Sequence, residues 1–361
     1  MITIKSAALA ALACGIVLAA GPTPQKNKKE ITQTLQLPKD LPNIAIGETR
    51  RLMFHVTPLS AKGLLSAQVR DALRALSRDT GSNTVLRIRA FVAGSGDLRR
   101  VRDLVSDTFT DRKQPLPVLS LVQSGGLPME GAQVVLEAVS VGKKDVNPQG
   151  IVVVPAPIAT SESPLDPVAP LAAKSLDQLK ANLQLAGSAA TGVLRVTCFL
   201  SSLDKLAETR KLVEAEYPRA ALNFVQTQRA PGRAIAACEA VARAGSNTAE
   251  RFQALPTAGE PKAVVIGSPR VVLSGAQVSY GYQEADSRLA FERLQKSLES
   301  AGVSGADTAF AQYYPVAEPL ASQVRKLAPS FFGKAVSSIL LIEGLPSMEA
   351  GFAVDVIAAK D

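Results

Sequence analysis

The chain repeats one of its own segments. Residues 85–105, VLRIRAFVAGSGDLRRVRDLV, and residues 193–213, VLRVTCFLSSLDKLAETRKLV, share identical residues at a constant offset. Both segments have the pattern of a β-strand, a turn and an amphipathic helix, and a weaker third copy lies over 308–327. The offset is too long for a solenoid repeat and suits a small domain, so the sequence predicts one domain written three times.

Polar and Pro-containing segments mark where the copies begin and end. The predicted division is a leader over 1–21, a linker over 22–43, repeat one over 44–145, repeat two over 146–244, a second linker over 245–262 and repeat three over 263–361.

Strand and helix patterns recur in the order β(β)-α-β-α-β-β within each repeat. In repeat one, for example, the apolar residues of 60–77 have helical spacing, whereas 52–56 and 118–123 have strand patterns. This order predicts an α+β domain in which two helices cover one face of a sheet. Three such sheets can cover one another's bare faces. We therefore expect a monomeric single-chain pseudo-trimer with its sheets inside and its helices outside.

Composition narrows the function classes. Aromatic residues make up 4% of the chain and Trp is absent, so the cores must be aliphatic and base-stacking platforms would be hard to assemble. The net charge is +8, but arginines such as Arg70, Arg74 and Arg78 alternate with acidic residues on predicted helix faces. A solvated face explains this pattern better than a phosphate-binding surface, so no nucleic-acid partner is expected.

His55 is the single histidine, which argues against His-based triads, His-rich metal sites and general-base histidines. No metal and no cofactor are expected. The cysteines are Cys14, Cys198 and Cys238, without CxxC spacing. Two alternatives stay open for the last two: a disulfide, if their strands are neighbours, or two separate buried thiols.

The first 21 residues have one Lys, an apolar run over 7–20 and Pro22 directly after them. The run is too short to cross a bilayer comfortably and is typical of a secretory signal peptide. The expected location is the bacterial periplasm or the outside of the cell, without a stable membrane span. A short tail anchor and lipidation at Cys14 are the alternatives.

Short strings carry a family resemblance. They are VTCFL at 196–200, VQTQRAP at 225–231 with ACEAVA at 237–242, the strings at 122–128 and 136–139, GLP at 344–346 with VDVIAA at 354–359, and SGAQ at 274–277. In this order they resemble the RidA/YjgF family of enamine/imine deaminases, also labelled endoribonuclease L-PSP. The resemblance covers the second half of each repeat best. It implies three chorismate-mutase-like domains with ligand clefts between them, and hence a covalent pseudo-trimer.

The resemblance also implies site residues. The family binds the substrate carboxylate with an Arg, but that position falls on Leu119, Leu222 and Ser337 here. The family's acidic residue, which helps position the attacking water, corresponds to Glu137, Glu239 and Asp355. Gly275, in the SGAQ string, and Arg229 are the substrate-binding candidates. The alternatives are structural acids, a surface arginine and a turn glycine.

Three functions are compatible with this sequence. The first is an exported binding protein for an unknown small molecule, in which loss of the Arg has ended deamination. The second is an active enamine/imine deaminase, a hydrolase in which Arg219 or Arg229 replaces the missing Arg. The third, ribonuclease activity, is disfavoured by the single histidine and the solvated charges.

Overall fold

The computed structural model of the chain describes residues 37–361, except Ser95 and Lys334. The predicted leader, Cys14 and most of the first predicted linker lie outside the described residues. Residues 38–361 form one unit. In the part of the chain that is described, no helix combines the length and apolar character needed to span a membrane.

Strands and helices alternate along the unit. Repeat one contains β1 (Ile44–Glu48), β2 (Leu52–Val56), α1 (Leu65–Thr80), β3 (Thr84–Ala93), α2 (Leu98–Asp111), β4 (Val118–Ser124) and β5 (Val134–Val141). Repeat two contains β6 (Ile151–Val154), β7 (Ile158–Thr160), α3 (Val168–Leu185), β8 (Val193–Leu200), α4 (Leu206–Glu216), β9 (Ala221–Gln226) and β10 (Ile235–Arg243). Then follow β11 (Phe252–Leu255), β12 (Ala263–Ile266), β13 (Arg270–Ser274), β14 (Gln277–Tyr280), α5 (Glu284–Ser300), β15 (Thr308–Pro315), α6 (Glu318–Leu327), α7 (Pro329–Phe332), β16 (Val336–Ile339) and β17 (Ala350–Lys360).

The mixed α+β class and the predicted element order are confirmed. Helix α1 shows why the pattern was readable: Val69, Leu73 and Leu76 are buried at helical spacing, and the helix ends at Gly81, which has a positive φ. The short strands β7, β11 and β14 were not predicted, and β11 lies inside the segment expected to be a linker. Strand β11 forms by pairing with β12, which local patterning does not reveal.

The strands form three sheets. Four strands of repeat one are ordered β2-β5-β3-β4. A second sheet has the order β11-β12-β6-β10-β8-β9, with β7 also paired to β10. The third has the order β1-β13-β17-β15-β16, with β14 also paired to β17. In each sheet one parallel pair, such as β3 with β4, flanks the antiparallel core.

First strands cross between the sheets. Strand β1, at the start of repeat one, pairs antiparallel with β13 of repeat three. Strand β12, at the start of repeat three, pairs antiparallel with β6 of repeat two. Because each pairing satisfies backbone groups of a strand from another repeat, it ties repeat one to repeat three and repeat three to repeat two.

Buried apolar side chains of the described residues form five clusters. Three of them each lie on one sheet, between the helices and the face of the sheet that they cover. The other two combine side chains from all three sheets. The opposite faces of the sheets therefore pack against one another. Burial of this shared apolar surface stabilises the unit by about 25 cal/mol for each Å² removed from water.

A disulfide joins Cys198 and Cys238, the first of the two alternatives left open by the sequence. The two residues are directly opposite each other on β8 and β10, and both are fully buried. The bond therefore connects two central strands of the second sheet.

Candidate functional site

The three predicted acids occupy equivalent places on the inner faces of the sheets. Glu137 on β5, Glu239 on β10 and Asp355 on β17 each lie between two inward apolar residues. For each acid, one apolar neighbour belongs to the first of the two clusters shared by all three sheets, and the other neighbour belongs to the second. The acids therefore mark a polar layer between the two clusters. We call this the buried polar layer. Its charged members are Arg87, Arg89, Glu137, Arg195, Glu239 and Asp355.

Glu137 has four partners in this layer. Arg89 Nε and Nη2 donate to Glu137 Oε2 at 2.8 and 2.5 Å. Thr197 Oγ1 and Asn223 Nδ2 donate to Oε1 at 2.6 and 2.7 Å. Arg195 Nη1 lies 3.3 Å from Oε2. A carboxylate surrounded in this way by donors from two repeats is held in one position.

Arginines link this carboxylate to Glu239. Arg89 Nη2 also donates to Glu239 Oε1, and Arg195 Nη2 donates to the same oxygen at 3.0 Å. Arg89 Nη1 donates to Tyr314 Oη at 3.2 Å, so Arg89 contacts residues of all three repeats. Arg89 is directly opposite Glu137 on the neighbouring strand. At the equivalent positions, Thr197 of β8 is opposite Glu239 and Gln312 of β15 is opposite Asp355.

Asp355 completes the layer. Ser120 Oγ donates to Asp355 Oδ2 at 2.7 Å, and Tyr314 Oη donates to the same oxygen at 3.4 Å. Arg87 Nη1 lies 3.5 Å from Asp355 Oδ1 but has no hydrogen-bond partner among the described residues. Three arginines thus face three carboxylates, and the layer is neutral overall.

Burial and pairing set the pKa values in this layer. Burial by itself raises the pKa of Glu137, but Arg195 and Arg89, with the hydrogen bonds from Asn223 and Thr197, outweigh it and lower the pKa to about 2. Burial likewise opposes the charge of Arg89, yet Glu137 and Glu239 raise its pKa well above the ordinary value. For Arg87 burial dominates and lowers the pKa, because Asp355 offsets it only in part.

A cavity of about 590 Å³ lies where repeat one meets repeat three. Leu119 and Leu121 of β4 form part of its wall, and Gly275 and the start of β14 form another part. Ala276 N donates to Leu119 O at 3.1 Å. A Cβ atom at position 275 would lie 2.9 Å from Leu119 O, so only glycine allows this close approach.

The charge of this cavity is one-sided. Arg99 and Arg102, on α2, contribute to its lining, whereas the described lining residues include no Asp, Glu, His or Cys. Arg102 Nη2 pairs with Asp40 Oδ1 at 2.6 Å. Arg99 is exposed and has no ion-pair partner among the described residues. The cavity therefore offers positive charge and, among its described lining residues, no carboxylate, imidazole or thiol to act as a general base.

The predicted site residues separate into different environments. The structure brings Gly275 and Leu119 together at the cavity, but the three acids lie in the buried polar layer and do not line the cavity. Leu222 packs at the edge of the apolar cluster of repeat two. Ser337 is exposed beside a small pocket of repeat three.

Arg229 lies apart from the cavity. Its side chain is about half exposed, and its Nε donates to Glu343 Oε1 at 3.2 Å. This ion pair connects a loop of repeat two to a loop of repeat three. The contacts of Arg229 are those of a surface arginine, one of the two readings left open by the sequence.

His55 has a contact pattern that the sequence did not predict. Its Nδ1 donates to Asp79 Oδ2 at 2.5 Å, since a carboxylate can only accept, and its Nε2 lies 2.8 Å from Ser140 Oγ. The order of these groups is that of a Ser-His-Asp triad. However, Ser140 is fully buried, and the pocket of about 460 Å³ beside His55 is lined without it. A nucleophile must reach its substrate, so these bonds join α1 to β2 and β5 instead.

Sequence reasoning missed the three buried arginines. The signal was present, because Arg87, Arg89 and Arg195 interrupt strands that are otherwise apolar. A charged residue inside such a strand requires a buried partner. The acids were selected through their family positions, and no local pattern connects them with arginines on other strands.

No protein-family model matches the chain, and no curated protein matches it either. Solved structures do match. A YjgF/YER057c/UK114 family member from Mycobacterium tuberculosis is 20% identical, with a TM-score of 0.24, and covers 30% of this chain and 99% of its own. The Rid-family protein YyfB from Yersinia pestis is 18% identical, with a TM-score of 0.27, over 31% of this chain and 100% of its own.

A YjgF protein from Neisseria meningitidis is 15% identical, with a TM-score of 0.22, and covers 30% of this chain and 95% of its own. Each match therefore spans about the length of one predicted repeat. These three solved structures are YjgF and Rid proteins, the family whose motifs the sequence of this chain resembles.

Proposed function

We propose that this chain is an exported, single-chain RidA-like pseudo-trimer that binds a small molecule in the cavity between repeats one and three, without imine hydrolysis. The observation that carries the proposal is the lining of this cavity. It combines Leu119, at the position of the family's Arg, with Gly275 and with no acid or histidine among the described residues. Such a lining can hold a ligand with an apolar part but offers no carboxylate or imidazole to activate water.

The pseudo-trimer reading is supported by the packing. Three sheets share two apolar clusters and the buried polar layer, and first strands cross between sheets. One chain thus supplies the surfaces for which a homotrimer would need three. The measurement is light scattering after size exclusion, for which the expected mass is that of one chain, whereas a trimer of chains would contradict this part of the proposal.

Export is supported by two features. The first 21 residues have the composition of a signal peptide. The disulfide between Cys198 and Cys238 fits an oxidising compartment, such as the periplasm or the outside of the cell. Fractionation of cells expressing the full chain would test this part, with accumulation in the cytosol as the contradicting result.

Loss of deamination is supported at both positions on which the family's chemistry depends, the arginine and the acid. A leucine cannot pair a substrate carboxylate, and an unpaired buried anion carries a penalty on the order of 2–5 kcal/mol. The acids that would help position water are engaged in the buried polar layer, Glu137 and Glu239 by arginines and Asp355 by Ser120 and Tyr314. We therefore assign Glu137, Glu239 and Asp355 a structural role.

Two measurements on the purified protein test the proposal. Titration calorimetry with naphthalene-2-carboxylate and naphthalene-2-carboxamide should detect binding of at least one probe at one site per chain. Ser297→Trp should abolish this binding, because Ser297 lines the cavity. Ser300→Trp, one turn further along α5 and exposed, is the matched control and should bind normally.

The second measurement is ammonia release from 2-iminopropanoate. The expected rate equals the rate without protein. Saturable release that Glu239→Gln abolishes in a folded variant would contradict the proposal and favour an active deaminase. Probe binding that Ser297→Trp leaves unchanged would contradict the cavity as the binding site.

A further inference from the structure

The lining of the cavity between repeats one and three combines apolar, polar and cationic side chains. The apolar residues of its lining include Leu119, Leu121 and Leu294, which come from β4 and α5, and the polar residues include Gln277 and Ser297. The side formed by α2 has Arg99 and Arg102. An occupant that satisfies both sides needs an apolar body and a polar, negatively charged end.

Arg99 is the group available for that end. Arg102 is already paired with Asp40, whereas Arg99 has no ion-pair partner among the described residues. The backbone of Arg99 is fixed at the first turn of α2, where its N–H donates to Asp97 Oδ1 at 3.0 Å. A guanidinium at a fixed helix position can bind a carboxylate through two parallel hydrogen bonds.

The absence of acids among the described lining residues sets the sign of the ligand charge. A cationic ligand would meet two guanidiniums and no carboxylate in the cavity. A neutral ligand would use the apolar wall but leave Arg99 without a partner. Charge complementarity therefore favours an anion over its neutral and cationic analogues.

We propose that the ligand is an amphipathic monoanion, whose apolar ring or chain lies against Leu119, Leu121 and Leu294 and whose carboxylate or related anion binds Arg99. This inference rests on the proposed binding function and names its ligand class. A volume of about 590 Å³ is within the range of pockets that hold drug-sized ligands. The anion is held on α2 and not at the leucine of β4.

Three matched probes test the ligand class by calorimetry on the full protein. Naphthalene-2-carboxylate should bind about tenfold more tightly than naphthalene-2-carboxamide, because only the former can pair with Arg99. 2-Naphthylmethylammonium should bind more weakly than the amide. Raising the salt concentration should weaken binding of the carboxylate and leave binding of the amide unchanged.

Arg99→Gln should reduce carboxylate affinity by about tenfold, to the level of the amide. Arg100→Gln is the control, since Arg100 is exposed on the same helix and does not line the cavity. It should change affinity by less than about twofold.

The outcomes separate this inference from the proposed function. Equal affinity for carboxylate and amide, or equal effects of Arg99→Gln and Arg100→Gln, overturns the anionic ligand class. If that binding is still abolished by Ser297→Trp, the proposed function survives. If none of the three probes binds, or if Ser297→Trp has no effect on those that do, both statements fail.

Discussion

Adjacent residues of β4 enter two contrasting regions. Ser120 points into the buried polar layer and donates to Asp355, whereas Leu119 lines the cavity. In the layer three arginines and three carboxylates are equal in number and shielded from water. In the cavity two arginines have no lining carboxylate among the described residues. Charged side chains thus pair with one another in the buried polar layer, whereas Arg99 at the cavity remains available to a ligand.

The contrast shows that the three predicted acids of this chain belong to the buried polar layer and not to the cavity. A buried ion pair adds little net stability by itself, but removal of one partner leaves an uncompensated charge and is costly. The polar layer therefore specifies which repeats meet and how. Each repeat supplies a different set: Arg87 and Arg89 come from the first and Arg195 from the second, whereas the described residues of the third supply no arginine.

The largest expected effect comes from breaking this layer at Arg89. Arg89→Met leaves the carboxylates of Glu137 and Glu239 short of a partner, and we expect a loss of about 3–5 kcal/mol in the free energy of unfolding. Urea denaturation at neutral pH measures this change. Binding of a probe at the cavity should persist in whatever fraction remains folded, because Arg89 does not line the cavity.

Arg87→Met is the matched control, two residues away on the same strand. Arg87 has only the distant Asp355 as an ionic partner, and Asp355 keeps its bonds from Ser120 and Tyr314. We expect a smaller loss than for Arg89→Met, since no hydrogen bond is broken, although Asp355 loses its ionic partner. Equal losses for the two variants would show that pairing does not distinguish them.

The next effect is acid sensitivity. The folded-state pKa of Glu137 is about 2, below the unfolded value of about 4.3. Its stabilising contribution is therefore fully present above pH 5 and is lost as the pH falls towards 2, on the order of 3 kcal/mol in total. Glu137→Gln should reduce the slope of unfolding free energy against pH in this window.

The control for acid sensitivity is Glu260→Gln, which removes an exposed carboxylate. Its pH slope should match that of the unaltered protein. If Glu137→Gln also leaves the slope unchanged, Glu137 is not the carboxylate whose protonation weakens the fold.

Local patterns made much of the fold predictable. The strand over Leu52–Val56 and the helix α5 follow from apolar spacing, and the repeat itself predicted three similar units. The exchange of β1 and β12 was not predictable, because it depends on pairing between segments far apart in the chain. Short strands such as β14 form only where a neighbouring edge is available.

The sequence identified two residues of the candidate site but not the arginine that we propose as its anion-binding group. Family strings pointed to Leu119 and Gly275, and these residues do meet across two repeats. Arg99 carries no sequence signal that separates it from Arg100, since both are exposed arginines of one helix turn. The orientation of α2 against the neighbouring repeat decides which of the two lines the cavity.

A smaller effect tests how much the apolar side chain of Leu119 contributes to binding in the cavity. Leu119→Arg introduces a charge into the cavity wall, and we expect about tenfold weaker binding of the neutral probe naphthalene-2-carboxamide, because the apolar contact is replaced by a solvated group. Calorimetry measures the affinity. Ser337→Arg changes the equivalent family position on β16, which is exposed and away from this cavity, and should leave the affinity unchanged.

The smallest effect concerns the pairing of Arg102. Asp40 is largely exposed, so Asp40→Asn should cost little stability but should free the guanidinium of Arg102 at the cavity. We expect naphthalene-2-carboxylate to bind up to about threefold more tightly, with no change for the amide. The double variant D40N/R102Q should lose this gain. If the amide gains equally in the single variant, the change reflects the shape of the cavity wall near Leu41 and not the released charge.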